Sequence, residues 1–209
     1  MVDDVCHPRR VTDDLAAPFS LQAWVDESIQ APRREQPGVY YLAAAVADPD
    51  ECEPTREVLR GLVRRRHGRL HWRDELPDQQ EKIAVAIGSQ DLAHVIVVAT
   101  PVDTRRQERA RRLCMQRLLF ELDQLGVAQV WLETRHDSLN RRDVVMVDAL
   151  RSNGTISSAI HVDFAKPKDD PMLWVSDAVA GIISLARRGR RLELRHALGK
   201  GVDEIAIDL

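Results

Sequence analysis

The stretch FSLQAWVDE, Phe19 to Glu27, decides how the rest of the chain is read. Phe19, Leu21, Ala23 and Val25 alternate with Ser20, Gln22, Trp24 and Asp26, the period of two that marks a β-strand. A second stretch repeats its ending. Gln22-Ala23-Trp24-Val25-Asp26 and Gln129-Val130-Trp131-Leu132-Glu133 share glutamine, a small or branched apolar residue, tryptophan, an apolar residue and an acid. If the two strands are parallel neighbours in register, both acids fall on one face, because side chains two apart point the same way. Neighbouring strands lie about 4.8 Å apart, and carboxylates that close repel each other unless a proton or cation intervenes. Mg²⁺ or Mn²⁺ suits such an all-oxygen site. The competing interpretation is two acids that end two strands and face water. Interior strands seldom finish in aligned acids, which favours the site.

Working outward, VYYLAAAVA (Val39–Ala47) is nearly all apolar, as expected of a strand covered on both faces. Pro32, Pro37 and Gly38 mark the connection before it as hairpin-like. A third strand is HVIVVAT, residues 94–100. Helical spacing predicts helices near 54–66, from Pro77 onward, over 104–125, over 140–151 and over 171–187, with Pro171 suited to a first turn. A short strand is expected at Ile160–Phe164. Three hairpin-like strands followed by helix–strand alternation predict an α/β fold, a mixed sheet with helices on both faces. The expected strand order is 3-2-1-4-5, with residues 50–92 inserted between the second and third strands. Residues 1–18 are expected to be a disordered tail, 19–187 the domain, and 188–209 a basic and then acidic extension.

The last helix contributes a third acid. Leu173, Asp177, Ala180, Gly181 and Ser184 share one stripe. An aspartate among Trp174, Val175, Ala178 and Val179 is costly to bury unless paired or coordinated. Small residues one turn on would let the helix approach the sheet closely. The alternative is a boundary residue at the solvent edge of an amphipathic helix.

Composition narrows the function classes. The 209 residues suit one domain, and no apolar run approaches the roughly 20 residues of a membrane helix. Met1 to Pro18 lacks the apolar stretch of a secretory signal. Cys6, Cys52 and Cys114 are odd in number and far apart, which argues against a disulfide framework and for the cytoplasm. The net charge is −3, yet arginines gather at 64–66, 105–112 and 187–191. Arginine forks suit phosphates, so a basic rim around an acidic site is physically reasonable, although solvated helix faces would look the same. Ser28 lacks a Gly-x-Ser-x-Gly elbow and no glycine-rich phosphate loop is visible, which argues against a serine hydrolase, an NTPase and a dinucleotide enzyme. Cys114 reads as buried core.

Trp24-Val25-Asp26-Glu27-Ser28 resembles the opening "DES" strand of the bacterial domain-of-unknown-function 3800 family. Trp174-Val175-Ser176-Asp177-Ala178-Val179-Ala180-Gly181 resembles its last helix, and Leu132-Glu133-Thr134-Arg135 falls at its middle acidic strand end. The likeness spans roughly residues 19–187 through short motifs. Many members have Gln-Leu-Ala-Asp at the helix, and an aspartate where this chain has Glu133. The resemblance implies an RNase H-like fold and a metal-dependent nuclease. Asp26, Glu133 and Asp177 would be its catalytic and metal-ligating residues, with Asp26 bridging two ions and the others anchoring one each. Glu27, Glu75, Asp137 and Asp163 compete for a fourth acidic position, although Glu27 alternates onto the opposite face from Asp26. Glu75 reads equally as a cap for the following helix. Arg135, His136 and Asp143 could contact phosphate or fix the carboxylates, and His71 and His161 could carry protons. Nucleic acid is the expected partner. The alternative function is a catalytically silent RNase H-like module that binds nucleic acid or a protein.

Overall fold

The computed structural model describes residues 20–33, 36–64 and 68–209. The expected tail at 1–18 and most of the arginine cluster at 64–66 lie outside the described residues. The strands are β1 (Leu21–Gln30), β2 (Val39–Ala47), β3 (Ala93–Thr100), β4 (Val127–Glu133), β5 (His161–Ala165) and β6 (Val202–Asp208). The helices are α1 (Cys52–Leu62), α2 (Pro77–Gly88), α3 (Gln107–Gln124), α4 (Asp137–Ser152), α5 (Met172–Ala186) and α6 (Leu192–Ala197).

The sheet runs β5-β4-β1-β2-β3-β6. β1–β2 and β2–β3 are antiparallel, while β1–β4, β4–β5 and β3–β6 are parallel. The first five strands thus take the order and directions expected from the sequence. β6 was not foreseen. It extends the sheet beyond β3, so residues 188–209 include an edge strand. Its acids Asp203, Glu204 and Asp208 are exposed, which blunts the edge against pairing with other chains.

β2 shows why apolar strands fill the centre. Tyr40, Leu42, Ala44 and Val46 pack beneath α3 and α4, with Cys114, Leu118 and Val147. Tyr41, Ala43 and Ala45 pack on the other face, with Leu59 of α1, Ile83 of α2, Val179 of α5 and Leu194 of α6. The insertion between β2 and β3 therefore forms part of the second layer. Within it, the extended His71 leads into a 3-10 turn at Trp72–Asp74. Among the described residues no helix is long and apolar enough to cross a membrane.

Candidate carboxylate site

Register builds the site. Gln22 pairs with Gln129, Ala23 with Val130, Trp24 with Trp131 and Val25 with Leu132. The shared five-residue pattern is thus aligned position for position, and Asp26 and Glu133 lie one step beyond the last pair. The tryptophans below them are anchored differently. Trp24 is buried, and its indole N–H donates to Asp170 at 2.8 Å. Arg56 also binds Asp170, at 3.0 and 3.2 Å. Trp131 donates to Gln22 Oε1 at 2.9 Å.

α5 is pinned beside β1 by the Ser176 hydroxyl, which donates to the Trp24 carbonyl at 2.5 Å. That bond brings the next residue, Asp177, to the cleft. Gly181 has a different role from the one expected. A methyl group there would overlap the Trp72 indole, so the missing side chain admits the insertion rather than the sheet. The insertion in turn holds Asp177. The Trp72 backbone N–H donates to Asp177 Oδ2 at 2.8 Å, and His71 Nδ1 lies 2.9 Å from the same oxygen. That contact raises the His71 pKa, against an opposing effect of burial.

Asp26, Glu133 and Asp177 line one cleft of about 250 Å³. Burial pushes the Asp26 carboxyl well above its ordinary range, and the neighbouring charges of Glu133 and Asp177 add to the rise. A hydrogen bond to Glu133 favours the protonated form, opposed only by the Glu27 backbone N–H, which donates to Asp26 Oδ1 at 2.7 Å. Two acids this close repel each other when both are charged, which favours a proton or a cation beside Asp26.

Glu27, His71 and Arg135 also line the cleft; Glu75, Asp163, Asp137, His136 and His161 do not. Asp163 pairs with Trp131, two residues short of Glu133, and is exposed. Glu75 closes the 3-10 turn. The Asp137 side chain lies in the first turn of α4, and His136 caps that helix. Glu27 alternates to the other face of the strand yet still borders the cleft, where Arg111, also part of its lining, donates to it through Nη1 at 2.6 Å and the Tyr40 hydroxyl also binds it. Arg111 further grips Asp143 at 2.8 to 3.3 Å, and Asp143 accepts from Arg135 at 3.0 Å. Burial alone would depress the Arg111 pKa, but Tyr40, Asp143 and Glu27 raise it. Arg111 and Tyr40 were missed in the sequence. The available signal was Arg111 three, four and seven residues before Cys114, Met115 and Leu118, a charge on the buried stripe of α3.

The donor set of three carboxylates fits a hard divalent cation. Among the described residues, however, no three His, Cys, Asp or Glu side chains stand preassembled as a metal cluster. Asp177 is turned to the insertion through Oδ2, and Asp26 shares a hydrogen bond with Glu133.

No protein-family model matches the chain, and no curated protein matches it. Among solved structures it is similar to a glutamine-to-alanine mutant of Bst-RNase HIII, with a TM-score of 0.42 and 15% identity. The match covers 82% of this chain and 56% of that one, so this chain spans little more than half the length of that protein. So slight a likeness carries neither activity nor substrate across.

Proposed function

We propose that the chain is a Mg²⁺- or Mn²⁺-dependent nuclease that hydrolyses phosphodiester bonds of RNA or DNA, related to the bacterial domain-of-unknown-function 3800 family. The observation that carries this is the meeting of Asp26, Glu133 and Asp177 in one cleft, where desolvation and the two neighbouring charges raise the Asp26 pKa and so favour a proton there. A cation would replace that proton. Asp26 and Glu133 would hold it, with Asp177 contributing the oxygen that His71 and Trp72 leave unused. When bound, the ion supplies charge neutralisation and activation of water.

The protein's own groups do the remainder. The Glu27 N–H fixes one Asp26 oxygen, Ser176 keeps α5 against β1, and the His71–Trp72 segment orients Asp177. Arg73, at the same cleft, offers a cation to a phosphate oxygen. Action in the cytoplasm suits Cys52 and Cys114, which are buried as free thiols.

The second reading is a silent RNase H-like module that binds nucleic acid or a protein. The lack of a preassembled three-ligand cluster among the described residues favours it. Labelled RNA, DNA and hybrid substrates, assayed with Mn²⁺ and with chelator, separate the two. Mn²⁺-dependent cleavage that disappears in a folded Asp26→Asn variant supports the nuclease. A wild type that gives no calorimetric heat with Mn²⁺ yet still binds nucleic acid supports the silent module.

A further inference from the structure

The hydrogen-bonded ladder between β1 and β4 ends at Val25 and Leu132, one residue before the two acids. Asp26 remains paired to Ala43 of β2, and Glu133 to Ala165 of β5. Each acid is therefore held on its outer side, and the ladder does not set the gap between them. Another set of contacts spans that gap, through residues of which Glu27, Arg111 and Arg135 border the same cleft. Glu27 follows Asp26 directly, and Arg135 lies two residues after Glu133. They are joined through Arg111 of α3 and Asp143 of α4, at 2.6 Å for Glu27–Arg111, 2.8 Å for Arg111–Asp143 and 3.0 Å for Asp143–Arg135.

We propose that Glu27, Arg111, Asp143 and Arg135 form a bracket that sets the separation of Asp26 and Glu133, making Arg111 and Asp143 positioning residues for cation binding that never touch the cation. The inference rests on the metal-binding function proposed above. It also gives the two consecutive acids separate tasks: Asp26 is a ligand, whereas Glu27 is an anchor whose carboxylate is already taken by Arg111 and Tyr40. The bracket is built for rigidity. The side chains of Arg111 and Asp143 are only 5% and 7% exposed, and Arg135 is tied at its other end to Glu108 at 2.7 Å. Arg111 donates through Nε, Nη1 and Nη2 at once, a planar fork that lysine cannot reproduce. Such a fork fixes distance and angle together, which a single point charge does not.

The test is Mn²⁺ affinity by calorimetry, measured well below each variant's melting temperature. Arg111→Lys and Asp143→Asn should each weaken binding about tenfold, the scale found when groups supporting metal ligands are removed. Because a lone buried charge can unfold the chain, the charge-balanced variant Glu27→Gln/Arg111→Met, which leaves the Asp143–Arg135 pair in place, is measured beside them. It should melt near the wild type and still bind Mn²⁺ about tenfold more weakly. Val147→Ala, in the core of α4, should lower the melting temperature and leave the affinity unchanged. A wild type that binds Mn²⁺, with bracket variants that bind it equally well, overturns the bracket alone. A wild type that binds no Mn²⁺ overturns the proposed metal site, and the bracket's role falls with it.

Discussion

Replacing Asp26 by asparagine should stabilise the metal-free protein while removing its response to metal. Asparagine keeps the Oδ1 that accepts the Glu27 N–H, and its amide can donate to the neighbouring Glu133. Above the raised Asp26 pKa it also removes a charge that faces two others. At the strand spacing of about 4.8 Å, two unit charges repel by about 1 kcal/mol in a water-like medium and about 3 kcal/mol at an effective dielectric of about 20. A gain of about 1–3 kcal/mol corresponds to roughly 3–9 °C in melting temperature for a domain of this size.

The sign with pH follows from the raised Asp26 pKa. Between the ordinary carboxylate value and the raised one, the folded state binds more protons than the unfolded state. Wild-type stability is therefore fully present below the ordinary value and is lost as pH rises through the raised one. The variant should lack that decline. Differential scanning fluorimetry in chelator, across this pH range, reads both effects. Mn²⁺ at a hundred times its dissociation constant should then add about 2.7 kcal/mol to the wild type and nothing to the variant. An Asp26→Asn protein that melts below the wild type in chelator at the alkaline end of this range would refute the argument, since it would mean that the charged carboxylate stabilises the fold.

Two further predictions concern groups around the site and away from it. Gly181→Ala places a methyl group against the Trp72 indole and should cost about 1–3 kcal/mol. It should also free Asp177 from the Trp72 N–H, which appears as lost amide-exchange protection at Trp72; unchanged protection there refutes it. His94 is buried with Nδ1 unpartnered, and burial, with Arg195 nearby, lowers its pKa to about 4 from 6.5. Its contribution to stability is lost as pH falls from about 6.5 to 4, by about 3 kcal/mol in all. His94→Leu should flatten denaturant midpoints over that interval, and a slope equal to the wild type's would show that another group titrates.

The sequence carried the centre of the fold because a strand buried on both faces leaves a continuous apolar run, as in β2, and because two strands in register can repeat a pattern, as around Trp24 and Trp131. Asp26, Glu133 and Asp177 were legible as acids in apolar surroundings. β6 was not, since Val202–Asp208 mixes three acids into a short run at a sheet edge, where one face and one side need no apolar cover. The bracket was hidden for another reason. Arg111 stands among exposed arginines, and only its phase on α3 tells it apart from Arg109 and Arg112. Its partners Glu27, Tyr40 and Asp143 come from three other elements, so no local pattern joins them.

The insertion bears most directly on what the site can do. Residues 71 and 72 lie far from β1, β4 and α5 in sequence, yet they hold Asp177 Oδ2 and fill the space left open by Gly181. Asp26 and Glu133 are fixed by the sheet and the bracket, whereas the third carboxylate is held by a turn that packs onto α5. The two parts of the site therefore depend on different pieces of the chain. On the proposed reading, a cation that recruits all three acids would use Asp177 Oδ1, because the insertion already holds Oδ2. The insertion would then act on the ion through the third carboxylate alone, by fixing its orientation.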